Sequence, residues 1–342
     1  MDAGKKMTMR DVAKLANVSV SSVSRYLTDP KAIQPRAAYS IKTAIQELNY
    51  QPNLLARNLK QNRSNTIGLI VPYVDYTFGT VCSVAGDFFF ERKYVVFTCQ
   101  TDNDPDKERY YVQSLLSQAA AGLIIAPCGM NTTFLRGIAR NYSNIVVLDR
   151  REDIGCDIVA MDYEACSYRL ARYALEKYLC DGVSVFFGAD HSCHTRDSLT
   201  GLRRAFQEMG ADFSKAKLTY NCHRVEYVLK ATHDICKNLV PGKRPAILAL
   251  GTAFTEYAVI ALNQFGGDAL QKVDLLGFAT QRVADRLNLT IPCVLQDPED
   301  AGVTVCQVLL DKITGQGKPS PDGSPKTYEL KPRYSFPEQG NL

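Results

Sequence analysis

The run Thr8-Met9-Arg10-Asp11-Val12-Ala13-Lys14-Leu15-Ala16-Asn17-Val18-Ser19-Val20-Ser21-Ser22-Val23-Ser24-Arg25 contains two helix starts with one turn between them. Thr8 with Asp11 is a capping-box pair, in which hydroxyl and carboxylate each satisfy an amide at the start of a helix. Met9, Val12, Ala13, Leu15 and Ala16 then mark an apolar face. Asn17-Val18 can make the turn, because Asn tolerates left-handed backbone. Ser19 caps a second short helix, expected from Val20 to Leu27 and stopped before Asp29-Pro30. A third helix is expected from Pro35 to Leu48, with Ile41, Ala44, Ile45 and Leu48 inward. Two short helices about a tight turn, braced by a third, have helix-turn-helix geometry, and the second helix can enter a major groove. It would present Ser19, Val20, Ser21, Ser22, Ser24 and Arg25: short polar side chains, one branched apolar group and one guanidinium. Arg can pair with guanine and Val can meet a thymine methyl.

Charge agrees with a polyanion as partner. Residues 1–64 carry 11 Lys and Arg against four acids, a net +7, so the rest of the +4 chain nets −3. A basic head on a mildly acidic body implies that the two parts bind different things. All four His and all 11 Cys lie outside the head, which excludes a zinc finger there. At 342 residues the chain is long enough for two or three compact units. It contains no apolar run of the roughly 20 residues a membrane-spanning helix needs. Met1-Asp2-Ala3-Gly4-Lys5-Lys6 leads into no apolar segment, and the cysteines include no Cys-x-x-Cys pair. Both features suggest a cytoplasmic protein with reduced thiols.

From Thr66 onward β-rich runs alternate with helical patterns. The runs are Thr66–Val71, Val95–Thr98, Gly122–Ala126, Ile145–Leu148, Ile158–Met161, Val183–Phe187, Ala246–Leu250 and Val273–Phe278. Helices are expected at 79–91, 106–118, 165–179, 197–209, 224–238 and 253–265. Strands spaced by helices form parallel, doubly wound sheets, and this much chain makes two lobes. Ligands in such folds sit outside the carboxyl ends of strands, here in a cleft between the lobes.

Two motif strings resemble the lac repressor/gal repressor (LacI/GalR) family of bacterial transcription regulators. The first is Asp11-Val12-Ala13-x-x-Ala16-x-Val18-Ser19-x-x-Ser22-Val23-Ser24-Arg25. The second is Glu47-Leu48-Asn49-Tyr50-x-Pro52-Asn53-x-x-Ala56-Arg57-x-Leu59. The resemblance is dense over 8–72. With weaker motifs (Asp149-Arg150, Thr200-Gly201-Leu202 and Pro292-x-x-x-Gln296-Asp297) it extends to a periplasmic-binding-protein-like body over 66–335. It implies an N-terminal all-α helix-turn-helix DNA-binding domain (1–51), a hinge helix and linker (52–65), and an α/β two-lobed sensor and dimerisation domain (66–342). The N-lobe would hold about 66–163 and 296–325, the C-lobe about 164–295 and 326–342. DNA contacts would come from Thr8, the six residues of the second helix named above, Asn53, Ala56 and Leu59. Leu59 would wedge into the minor groove of a pseudo-palindromic operator bound by a homodimer.

For the effector the resemblance implies Asp75, Thr77, Phe78, Asp162 and Gln296. Other positions depart from the family pattern. Ser198 stands where an Arg is usual, with Arg196 nearby as a substitute; Gly251-Thr252 replaces Asn-Asp, and Ala279 replaces Asp. Fewer carboxylates and a retained Arg150 and Arg196 shift the expected ligand from a plain sugar toward a sugar acid or sugar phosphate. His191 and His194, three apart without a partner cluster, read as a polar loop at the cleft. Asp102-Asn103-Asp104-Pro105-Asp106 reads as a helix-capping turn and not a calcium loop, since Lys107 stands where Gly is needed. No cofactor or metal is called for, and no phosphate loop, nucleophile elbow or acid–base pair suggests an enzyme. The expected function is a ligand-responsive regulator, most simply a repressor of carbohydrate use; a solute-binding protein without DNA function is the alternative.

Overall fold

The computed structural model describes residues 7–51, 64–178, 182–266, 269–317 and 323–337. It divides into two compact units, 1–64 and 65–342.

The first unit packs α1 (Met9–Leu15), α2 (Val20–Thr28) and α3 (Pro35–Glu47) around Val12, Ala13, Ala16, Val23, Ile41, Ala44 and Tyr50. The cap signals of the sequence are realised. The Thr8 N–H donates to Asp11 Oδ2 at 2.8 Å, and the Asp11 N–H donates back to Thr8 Oγ1 at 3.4 Å. Asn17 takes the turn at φ +52°, and Ser19 Oγ accepts from the Ser22 N–H at 3.1 Å. Leu15 departs from expectation. It is 48% exposed, because at about 100° per residue it lies about a quarter-turn off the 12/13/16 stripe. Pro52–Arg63, and with them Asn53, Ala56 and Leu59, lie outside the described residues.

The second unit has two six-stranded sheets. In chain order the first lobe is built from β1 (Thr66–Val71), α4 (Tyr76–Glu91), β2 (Val95–Gln100), α5 (Pro105–Ser117), β3 (Gly122–Ile125), α6 (Thr132–Ala139), β4 (Ile145–Leu148) and β5 (Asp157–Met161). The chain then crosses into α7 (Tyr163–Tyr178), β6 (Val183–Phe186), α8 (Cys193–Glu208), β7 (Lys217–Thr219) and α9 (Val225–Lys237). The second lobe continues with β8 (Ala246–Ala249), α10 (Thr252–Phe265), α11 (Ala269–Lys272), β9 (Asp274–Thr280), α12 (Gln281–Arg286) and β10 (Cys293–Gln296). A second crossing returns α13 (Pro298–Thr314) and β11 (Thr327–Leu330) to the first lobe, and a third delivers β12 (Arg333–Tyr334) to the second.

The sheet orders are β11-β5-β4-β3-β1-β2, all parallel, and β12-β10-β9-β8-β6-β7, parallel except for β12. The inner strands of each sheet are buried on both faces, which is why they read as unbroken apolar runs. The third crossing falls at 331–332, later than the expected 325–326, because Thr327–Leu330 pairs with Ile158–Met161 before the chain leaves. The strand order reverses at β1/β3 in one lobe and β6/β8 in the other, so both crevices open at carboxyl ends of strands. No helix of the described residues is long and apolar enough to cross a membrane.

Candidate functional site

The first unit presents one side of α2. Val23 is wholly buried and anchors the helix, leaving Ser19, Val20, Ser21 and Arg25 exposed and Ser22 and Ser24 half-buried. Ser19 Oγ hydrogen-bonds the hydroxyls of Ser21 at 2.7 Å and Ser22 at 2.9 Å, which holds this polar ridge low. Thr8 is exposed at the start of α1. A helix ridged with short side chains and carrying a guanidinium can approach base edges closely.

In the second unit a cleft forms where the strand ends of the two lobes face each other. The first lobe supplies Asp75, Thr77 and Phe78 at the start of α4, and Asp149-Arg150 after β4; the second supplies Thr252 at the start of α10; Gln296 lies at a crossing. Six of the nine residues expected to touch an effector therefore share one cavity: Asp75, Thr77, Phe78, Arg150, Thr252 and Gln296.

Asp162, Arg196 and Ser198 are not on its wall. Asp162 caps α7, accepting from the Ala165 N–H at 2.9 Å, and pairs with Arg151 at 3.4 Å. The Arg196 side chain is 63% exposed, 3.9 Å from Glu152 and 3.7 Å from Asp197. Ser198 is wholly buried, and its hydroxyl has no hydrogen-bond partner among the described residues. Helix phase explains the arrangement: His194 meets the cleft from the first turn of α8, and Arg196, two residues on, points to the opposite side.

Tyr73, Asp149, Tyr163, His194, Phe254 and Phe278 also line the wall. The Tyr163 hydroxyl donates to Asp149, and Gln296 Nε2 donates to the Tyr163 oxygen at 3.1 Å. Thr252 Oγ1 in turn donates to Gln296 Oε1 at 2.9 Å, so a single chain of bonds joins both lobes. His194 meets the Tyr163 ring edge-on at 4.0 Å between centroids, and Tyr73 stacks on His223 at 5.7 Å. Asp149 sits at φ +66°, a left-handed conformation that non-glycine residues keep mainly where surroundings impose it.

Arg150 is the charged centre of the cleft wall. It is 4% exposed, donates from Nη1 to the Pro127 carbonyl and from Nη2 to Asn103 Oδ1 at 2.7 Å, and leaves Nε without a partner. Among the described residues it forms no ion pair with a carboxylate. Asn103 is held at φ +58° beside Asp104, which caps α5 by accepting from the Asp106 N–H at 2.8 Å.

The cavity holds about 40 Å³, room for water and far below the roughly 300 Å³ of a small-molecule pocket. The lobes are drawn together around it. Arg282 pairs with Glu299 at 2.8 Å across the lobes, and a Cβ on Gly129 (φ +93°) would lie 2.6 Å from the His191 carbonyl oxygen. A cavity of this size does not admit a molecule as large as a sugar.

Burial shifts two titrating groups in opposite senses. It pushes the Asp75 carboxyl up from 3.8 to about 6, against the lowering effect of the Phe78 N–H. It pulls His194 down from 6.5 to about 4, with the Arg150 charge adding to the shift and Asp149 opposing it. Asp75 thus favours folding at low pH, a gain that fades as pH rises through 6. His194 favours folding above pH 6.5, a gain that is lost as pH falls toward 4. Between pH 4 and 6 folding moves a proton from imidazole to carboxyl with little net uptake. Relative to the unsubstituted protein, His194→Gln should gain stability as pH is lowered from 6 to 4, and Asp75→Asn should lose it. Each change should be about 1–2 kcal/mol, allowing for water in the cleft. Melting curves of the three proteins at pH 4.5, 6 and 7.5 check this; parallel curves would remove the coupling.

A helix-turn-helix unit in sequence with a two-lobed body that closes on a polar cleft defines a transcription regulator with its own sensor domain. Residues 8–53 match the family described as "Bacterial regulatory proteins, lacI family", and 64–307 match "Periplasmic binding proteins and sugar binding domain of LacI family". The chain belongs to the LacI family, whose members are transcription factors and not enzymes. It is 29% identical over 332 residues to the HTH-type transcriptional regulator KdgR of Bacillus subtilis (strain 168), covering 95% of each chain. It is 26% identical over 341 residues to the HTH-type transcriptional repressor PurR of Yersinia enterocolitica, covering 95% of this chain and 94% of that one. Among solved structures it superposes on the lac repressor bound to ONPG with a TM-score of 0.77 at 18% identity, covering 97% of this chain and 99% of that one. On the Cra regulator of Pseudomonas putida with fructose 1-phosphate the TM-score is 0.67 at 16% identity, covering 79% and 98%.

Proposed function

We propose that this protein is a repressor that binds a pseudo-palindromic operator as a homodimer and alters its grip when an anionic sugar derivative fills the interlobe cleft. Arg150 carries the anionic part of the reading. A buried guanidinium held only by neutral acceptors is costly, and a ligand carboxylate or phosphate removes that cost while gaining charge-assisted hydrogen bonds. Asp75 and Asp149 accept hydroxyls, and Phe78, Phe254 and Phe278 offer apolar faces to a sugar ring. Asp162, Arg196 and Ser198 have no contact role in this reading. The test is a melting-temperature panel: D-gluconate and D-glucose 6-phosphate should stabilise the protein where D-glucose does not, and the reverse order would defeat the anionic reading.

The edge of the first sheet supports the dimer. Val95 and Phe97 on β2 are each 50% exposed and Phe90 at the end of α4 is 72% exposed, an apolar edge of the kind proteins cover. Sedimentation should give a dimer and Phe97→Glu a monomer. The basic head disfavours a solute-binding protein without DNA function; that alternative requires operator binding no stronger than that of residues 66–342.

On DNA, phosphate contacts supply affinity and α2 supplies discrimination. If the dimer neutralises six or more phosphates, binding should weaken by about 1,000-fold between 50 and 200 mM salt. Arg25→Ala should cost 10- to 100-fold on the operator and much less on random duplex; equal losses on both would make Arg25 a phosphate contact. Leu59→Gly should reduce DNA bending and leave effector affinity intact.

A further inference from the structure

Glu108 on α5 is wholly buried. Its Oε2 accepts from the Cys128 backbone N–H at 2.6 Å; its Oε1 accepts from the Cys128 thiol at 3.3 Å and from Asn131 Nδ2 at 3.1 Å. Two oxygens that accept from three donors follow the pattern of an ionised carboxylate. Like Arg150, Glu108 forms no ion pair among the described residues, so this lobe buries an anion and a cation that each lack an ionic partner and do not touch.

They meet through a single peptide group. The N–H that Glu108 holds belongs to Cys128, and the carbonyl that Arg150 holds belongs to Pro127. These are the two ends of the 127–128 peptide. A carboxylate at its N–H and a guanidinium at its C=O polarise the same dipole in the same sense, and each bond strengthens the other. The surrounding bonds lock the arrangement: Asn131 donates to the Pro105 carbonyl at 2.7 Å and accepts from Arg109 at 3.1 Å, and Asn103 fixes the other arm of Arg150.

We propose that Glu108 is a positioning residue for the effector site, acting through the 127–128 peptide to fix the Arg150 guanidinium and temper its charge. It rests on the reading of Arg150 as the anion contact. The hydrogen bonds from Cys128 and Asn131 pin the 127–131 turn; the negative charge adds to them a pull on Arg150 through the 127–128 peptide. Glu108 thereby sets how tightly the cleft holds an anion, without touching it.

Two measurements on the full-length protein test this. The first needs no ligand: urea unfolding of the unsubstituted protein, Glu108→Gln, Arg150→Met and the double variant. The double variant should be at least tenfold more stable, in its unfolding constant, than the two single effects multiplied together, because removing both charges leaves neither stranded. The second uses D-gluconate as probe. Glu108→Gln, which retains an acceptor for Cys128, should tighten binding threefold or more, since Arg150 is no longer tempered. Glu108→Ala should loosen it tenfold, since the turn is released; if that variant does not fold, Glu108→Asp takes its place and should also loosen binding. Additive unfolding effects, or Gln and Ala shifting affinity in the same direction, overturn the role of Glu108. A protein that ignores gluconate and other sugar acids overturns the effector reading instead, while the unfolding cycle still decides whether the two charges are linked.

Discussion

Arg150→Met should remove the effector response and leave effector-free operator binding in place. Methionine keeps the length of the side chain and discards the charge and all five N–H donors. Hydrogen bonds to charged groups contribute about 1.5–3 kcal/mol, so affinity for an anionic effector should fall roughly 10- to 100-fold. The variant should also be less stable, because the Pro127 carbonyl and Asn103 Oδ1 lose their donor and Glu108 loses its distant counter-charge. Stranding a buried charge costs about 3–5 kcal/mol at the upper end. The two effects separate cleanly: melting temperature without ligand reads the second, and the ligand-induced shift reads the first. Operator binding by fluorescence anisotropy at a temperature well below melting reads whether the head is intact. An Arg150→Met protein that still responds to its effector with unchanged affinity would show that the anion docks elsewhere. Arg196→Ala, which the family resemblance makes an equally good candidate, should leave the response nearly unchanged, because that side chain is 63% exposed and off the cavity wall.

The contrast between these arginines marks what the chain discloses by itself. The head is legible because its signals are local. Thr8 and Asp11 lie one turn apart, Asn17 supplies a left-handed turn, and Ser19 caps the second helix, so each feature involves residues within four positions of one another. Strands buried on both faces are legible as apolar runs, and their alternation with helical patterns over this length of chain defines the two-lobed α/β architecture. The 17-residue helix Pro298–Thr314 escapes a periodicity reading although Asp297, Pro298 and Gly315 mark its ends, because its sides are buried unevenly between sheet and α4. The ends of β11 and the third crossing depend on a strand pairing across more than a hundred residues, which no local pattern encodes. The cleft is half legible for the same reason. Residues in the loops that follow a strand, such as Asp75 and Arg150, face it by construction. On α8 the rotation of the helix is set by the loop that precedes it, and only the folded chain selects His194 over Arg196. Glu108 gives no signal, since its partners arrive from Cys128 and Asn131 on another element.

Gly201→Ala should be the most damaging one-carbon change in the sensor domain. At this position α8 rests backbone to backbone on α7: a Cβ would lie 2.1 Å from the Glu164 carbonyl oxygen and 2.9 Å from the Tyr168 nitrogen. Neither obstacle is a side chain that can swing aside, so one helix must translate. Leu170, Ala171, Leu202, Ala205 and Phe206, all buried in the core between the helices and the second sheet, would lose contact as it did so. Alanine is favoured over glycine in a helix by about 1 kcal/mol, and overpacking costs typically 1–3 kcal/mol, more where backbone is involved. The obstacle wins, with a net loss of about 2–3 kcal/mol and a drop in melting temperature of roughly 5–10 °C. Because the first turn of α8 carries His194 against Tyr163, the same displacement should weaken effector binding beyond what stability alone would cause. Gly137→Ala, on α6 with nothing within 4 Å of the added carbon, supplies the control of opposite sign. It should raise stability by about 0.5–1 kcal/mol through helix propensity. Calorimetry on both variants decides the matter: if Gly201→Ala melts no lower than Gly137→Ala, α7 and α8 are not in backbone contact.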